Sequence, residues 1–191
     1  LLPTAAAVVL LGTLYPLILD AFGGGKVSVG PPFFNATFVP IMVPVLLACV
    51  IGAMLSWKRA DLAPVMSRLK AAFAVALAIA TVTWFSAASS QVPAALGMAL
   101  AAWLVAGTAV QIAGRIALFR APFARSLTLA RNLPPGAWGM SLAHASLGIV
   151  VAGITASSAW QSESIQLMRA GEATVVAGYR FTFGGAVPIR D

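Results

Sequence analysis

The chain reads as an all-α polytopic membrane protein of about five transmembrane helices, followed by the start of a small β-containing domain. Three observations predict this: 60% of the 191 residues are hydrophobic and only 9% charged, the apolar residues fall in five continuous runs, and the charges are confined to short stretches between them. A soluble domain carries roughly a quarter charged residues to solvate its surface. The runs cover residues 3–19, 38–57, 71–88, 93–119 and 137–158, each near or above the roughly 20 apolar residues that cross a bilayer as a helix. Barrel strands would alternate apolar and polar residues over about ten positions, which these runs do not. The expected division is a transmembrane region over residues 1–159 and the start of a β-containing domain over 160–191.

The chain opens on Leu1-Leu2, already apolar, with no initiator methionine and no basic segment before it, so the opening is not expected to be a signal peptide. The chain closes at Arg190-Asp191 within a polar stretch and is expected to be a fragment continued on both sides. After the first run comes Gly23-Gly-Gly-Lys-Val-Ser-Val-Gly-Pro-Pro-Phe-Phe-Asn35. Pro31 and Pro32 fix φ and remove two amide donors, and Phe33 and Phe34 prefer an interfacial zone, so this loop is expected to fold back onto the membrane surface. Its triple glycine is no phosphate loop, because Lys26-Val27 lacks the following Ser/Thr and no strand precedes it.

In the second run Pro40 and Pro44 lie one turn apart, and Pro16 occupies the matching end of the first run. Such prolines either kink helices around a site near one leaflet or simply mark helix starts and stops. Cys49, the single cysteine, excludes an internal disulfide and a paired-thiolate metal site; it is expected to pack as a small apolar residue.

Orientation follows from charge. Lys58, Arg59, Arg68 and Lys70 fall between the second and third runs, and Arg115, Arg120, Arg125 and Arg131 flank the fourth and fifth, with Asp61 the one acid among them. Both clusters lie on one side, which the positive-inside rule makes cytoplasmic; residues 20–35, the 89–92 turn and everything after Trp160 then lie outside. Trp57, Trp84, Trp138 and Trp160 fall near run ends, where aromatic belts sit. The +7 net charge is thus a topology signal, and nucleic acid is not an expected partner, since no basic folded face or binding motif accompanies it.

Beyond Trp160, Ala173-Thr-Val-Val176 and Tyr179-Arg-Phe-Thr-Phe183 alternate around Ala177-Gly178, the pattern of a β-hairpin. Tyr179, Phe181 and Phe183 make one strand face aromatic, for packing under a partner sheet or for holding a ligand.

His144 is the one histidine, inside the fifth run. An ionisable group at that depth is costly and usually belongs to a relay, a cavity or a cofactor; the alternative is a buried histidine that only helps helix packing. Met140 and Ser141 lie one turn before it and Leu147 and Gly148 one turn after, while Gly136, Gly139, Ala143, Gly148 and Gly153 keep the helix slender. A neighbouring helix or a flat macrocycle can approach such a surface. A Ser-His-acid triad is excluded as a reading, because all five acids lie in loops or at helix ends; no catalytic residue is assigned.

Three blocks together, Val27-Ser-Val-Gly-Pro-Pro-Phe-Phe-Asn35 after Leu11-Gly-Thr-Leu-Tyr-Pro16, then Gly139-Met-Ser-Leu-Ala-His144, then Gly178-Tyr-Arg-Phe-Thr-Phe183, resemble in order and spacing the C-terminal part of the CcmF family. The resemblance implies a non-autonomous segment of the System I cytochrome c maturation haem lyase in the bacterial inner membrane. Family members work with CcmH and CcmI, take haem from haem-loaded CcmE, and help attach it to apocytochrome c in the periplasm. It also implies that His144 is one axial ligand to the iron of an embedded haem b that acts in redox chemistry. The family's second transmembrane histidine, its two periplasmic histidines and its tryptophan-rich motif have no counterpart in this sequence and are expected upstream. Two other readings of the residues stand beside it: a transporter or channel subunit with His144 as a proton relay, and an assembly scaffold with His144 inert.

Overall fold

The computed structural model describes residues 1–25, 27–55, 62–86 and 91–186. Within them the order is α1 (Leu2–Ala21), α2 (Pro31–Met54), α3 (Leu62–Ser86), α4 (Gln91–Arg115), α5 (Phe123–Arg131), α6 (Pro135–Ala159), β1 (Ala173–Val176) and β2 (Tyr179–Thr182). Five of these helices, all but α5, are long and apolar enough to cross a membrane. The chain is a multi-pass membrane protein of helical class with a small C-terminal sheet.

Several boundaries differ from the sequence reading, each for a local reason. The triple glycine ends α1, with Gly23 at φ +72 and its neighbour Gly24 donating to Leu19 O at 2.8 Å, the left-handed stop that glycine tolerates. Pro31 and Pro32 do not hold a surface loop but open α2 after Gly30, where a missing amide costs nothing because first-turn amides have no helical partner. Phe33 and Phe34, edge to face at 5.3 Å, therefore ride on the first turn of α2 and cover Gly12 of α1, where a Cβ would stand 2.7 Å from Phe33. The helices run on through Pro16, Pro40 and Pro44.

Helix α3 starts at Leu62 and takes Arg68 and Lys70 into its first turns. Helix α4 stops at Arg115, short of the expected residue 119, and left-handed backbone at Ala117 (φ 51) and Phe119 (φ 70) follows. Helix α5 was not anticipated, since its nine residues are amphipathic rather than apolar. Lys26, Trp57, Lys58, Arg59, Asp61, Arg190 and Asp191, and residues 89 and 90 of the expected 89–92 turn, lie outside the described residues; the other two residues of that turn open α4.

Helix α4 is the hub, packed against α2, α3 and α6. The core joins Leu46 and Val50 of α2, Val65, Leu69, Ala72 and Ala76 of α3, and Trp103 and Leu104 of α4, with Cys49 against it as expected for a small apolar residue. Val50 seats directly on Gly107. One turn to either side, Trp103 Nε1 donates to Leu47 O at 3.2 Å and Gln111 Nε2 to Ala53 O at 2.7 Å. The second bond supplies one of the last carbonyls of α2, which its own helix leaves unpaired. Across the other face of α4, Thr155 meets Gly97, and a Cβ on Gly148 would stand 2.8 Å from Val105 Cγ2 and 3.1 Å from Ala101 O. Small residues thus set the antiparallel α4–α6 approach, as in membrane helix pairs generally.

The hairpin forms at the expected residues. Ala177 (φ 52) and Gly178 (φ 84) make the two-residue turn whose twist suits a hairpin, pairing Val176 with Tyr179 and Thr174 with Phe181. Phe183 extends the ladder by donating to Glu172 O at 2.8 Å. Tyr179, Phe181 and Phe183 stay exposed on one face.

Candidate functional site

Helix α6 begins at Pro135, a residue preset for a first helical turn, and its apolar course to Ala159 is broken by His144 and by hydroxyls. His144 is three residues from the middle of this 25-residue helix, about 4.5 Å along the axis at a helical rise. The hydroxyls are satisfied locally: Ser141 donates to Ala137 O at 2.9 Å, Ser146 to Ala143 O at 3.0 Å and Thr155 to Val151 O at 2.8 Å. Such back-bonding lets hydroxyls lie in an apolar helix without partners elsewhere.

The histidine follows the same habit with a different outcome. Its Nδ1 lies 2.8 Å from Met140 O. A carbonyl oxygen only accepts, so Nδ1 carries the proton and donates, and a neutral ring is left with a bare lone pair on Nε2. One hydrogen bond to the preceding turn therefore fixes both the tautomer and the ring's tether, the role that outer partners play for ligating histidines.

His144 is half-buried at the edge of the α4-facing stripe, whose centre is marked by the buried Ser141, Gly148 and Ala159. The Gly97–Thr155 and Leu104–Gly148 pairings, continued one turn, bring Thr108 to the level of His144 and Gln111 to that of Ser141. Thr108 is buried and donates to Leu104 O at 2.8 Å, and Gln111 is turned to α2, so α4 offers no charge at that depth. Away from α4 the surface of α6 is open: a Cβ added at Gly136, Gly139 or Gly153 would meet nothing within 4 Å. Among the described residues no three of His, Cys, Asp and Glu come together as a metal cluster. The site is thus a single Lewis-basic nitrogen beside a slender helix face, able to give one ligand to a metal whose other ligands come from elsewhere.

Nearly the whole chain matches known proteins. The cytochrome c-type biogenesis protein CycK of Bradyrhizobium diazoefficiens is 42% identical over 185 residues, 97% of this chain and 28% of that protein. CcmF of Pseudomonas aeruginosa is 38% identical over 186 residues, 95% of this chain and 27% of that protein. CcmF of Escherichia coli is 32% identical over 184 residues, 96% of this chain and 27% of that protein. The chain belongs to the CcmF/CycK family of cytochrome c-type biogenesis proteins. It matches a C-terminal portion of them and spans little more than a quarter of their length. No protein-family profile and no solved structure matches it.

The three blocks that carry the CcmF resemblance do not converge on one site. The first builds the α1–α2 contact at Gly12, Phe33 and Phe34, the second lies at mid-α6, and the third forms the hairpin. Trp84, Trp138 and Trp160 stand partly exposed near helix ends, as belt residues do. Trp103 is instead buried in the core; that residue and Gln111 escaped the sequence reading. The signal available for both was a donor inside an otherwise apolar run, which in a membrane faces protein.

Proposed function

We propose that this segment gives one axial ligand, Nε2 of His144, to a haem b held within the membrane part of a System I cytochrome c maturation haem lyase. The observation that carries the reading is the 2.8 Å contact of His144 Nδ1 with Met140 O, which in a neutral ring puts the proton on Nδ1 and leaves Nε2 as the free nitrogen, in an apolar stretch of helix. The residues present fit one side of a haem: an imidazole whose Nδ1 is tethered to the preceding turn, and an open small residue, Gly136, on the adjoining face two turns earlier. They do not supply the opposite ligand, which falls to sequence outside this chain. Haem b, when bound, supplies a one-electron centre tuned by its axial ligands and burial. The chain's own part is to hold Nε2 toward iron, keep its proton on Nδ1, and exclude water and charge from that depth through α4.

The family reading extends to the whole protein: residence in the bacterial inner membrane, the basic face in the cytoplasm, the hairpin in the periplasm. CcmH and CcmI are its proposed partner subunits, CcmE its haem donor and apocytochrome c its substrate. A proton relay is the weaker reading, because relays run through chains of titratable groups and α4 and α6 carry none besides His144 and Arg115. The test uses the full-length protein purified from membranes. His144→Ala is expected to lower haem per protein by about tenfold or more, the scale of losses at metal-supporting positions, and imidazole added to His144→Gly should restore the Soret band. Unchanged haem content in both variants overturns the assignment.

A further inference from the structure

We propose that α5 and the turn before it form a docking surface for anionic phospholipid at the basic face of the membrane. Connectivity holds this segment at the bilayer boundary: it lies between the end of α4 at Arg115 and the start of α6 at Pro135. Trp138, in the first turn of α6, donates Nε1–H to Ala130 O at 3.3 Å and ties the end of α5 to the span.

The surface so held is amphipathic, and its apolar part is bare. Phe119 is 93% exposed, Phe123 76% and Leu127 42%; the last two share one helix face a turn apart, while Ser126 is buried on the inward side. Phe119 has φ 70, a left-handed conformation that is costly for a bulky side chain and persists where surroundings enforce it. Within the chain that conformation gains no contact for the ring. In the interfacial zone of a bilayer the same ring is stabilised, because aromatic side chains favour that depth.

Charge selects the kind of lipid. Arg115, Arg120, Arg125 and Arg131 are all exposed, and no acidic residue lies between Asp61 and Glu163 in the sequence. Counter-charge for these arginines must come from outside this stretch. Phosphate headgroups of an anionic leaflet supply it at the level where Phe119, Phe123 and Leu127 enter the acyl region, the arrangement of a surface-lying amphipathic helix. The bare apolar residues favour a lipid surface over a polyanion in solution, which would leave them in water.

The test places a fluorophore on Phe123→Cys in the full-length protein lacking other cysteines. The protein is reconstituted in phosphatidylcholine vesicles containing either brominated phosphatidylglycerol or brominated phosphatidylcholine at equal mole fraction. Stronger quenching by the brominated phosphatidylglycerol is expected. The combined variant Arg120→Gln, Arg125→Gln, Arg131→Gln should erase the difference, at about fivefold in relative lipid affinity per arginine. Because the three side chains are exposed, the variant should elute as the parent does and keep its haem, which separates this test from that of His144. Equal quenching by the two lipids in the parent protein, or quenching by neither because protein covers α5, overturns the proposal.

Discussion

A single tethered ring shows how little sequence a fixed tautomer needs. His144 requires no acid or second histidine nearby to settle its tautomer, because the carbonyl one turn back accepts from Nδ1. The same economy appears at Gln111, 6% exposed, whose amide reaches Ala53 O at the end of α2. Leucine there would fit by size but leave a part-buried carbonyl without a donor, and orphaned groups cost up to about 1–3 kcal/mol when fully buried. Gln111→Leu should therefore lower stability by up to that amount, read as an earlier unfolding midpoint in detergent. Gln111→Glu, which presents an oxygen to the same carbonyl, should be worse. A midpoint unchanged in both variants would show that Ala53 O finds water or another donor. Neither contact was legible from the chain: spacing reveals that a polar residue lies in a membrane run, but not which carbonyl it meets.

At the scale of elements, hydrophobic run length located all five spans and alternation located the hairpin down to its turn residues, because both patterns are local consequences of bilayer thickness and strand pleat. Helix ends were less legible. Pro31-Pro32 carries the same residues whether it breaks a helix or opens one, and only the chain on either side decides. Helix α5 lacks the length that marks a span, and its signal is two apolar residues, Phe123 and Leu127, set among arginines. Helix contact is a third thing the runs do not disclose, and here the glycines separate cleanly. Gly148 has Val105 and Ala101 within about 3 Å of where a Cβ would stand, whereas Gly153, on the same helix, has open space. Gly148→Leu should drive α6 off α4 at a cost of about 1–3 kcal/mol, the range for overpacking a fitted contact, and lower the yield of folded protein. Gly153→Ala should be tolerated and even favour the helix slightly, since alanine is the better helix former. Equal stability of the two variants would mean that α4 and α6 do not meet through Gly148.

For the molecule as a whole, the decisive relation is that one crossing, α6, separates the arginine-rich α5 from the aromatic hairpin. Helix α5 is joined to the start of α6 by three residues and the hairpin follows its end, so the two must lie on opposite sides if α6 spans. In the orientation proposed above, the arginines of residues 115–131 stay on the face where positive loops are retained, while the hairpin segment, with Glu163 and Glu172 against Arg169 and Arg180, carries no net charge to hold it there. Labelling tests this without reference to haem or lipid preference. In the full-length protein lacking other cysteines, Tyr179→Cys should react with an impermeant maleimide added outside intact cells. Arg125→Cys should react only after the membrane is opened. Both positions are exposed, so a missing label reports the barrier and not burial. Labelling of both from the same side would remove α6 as a span, and with it the lipid-shielded setting in which a neutral His144 makes a ligand.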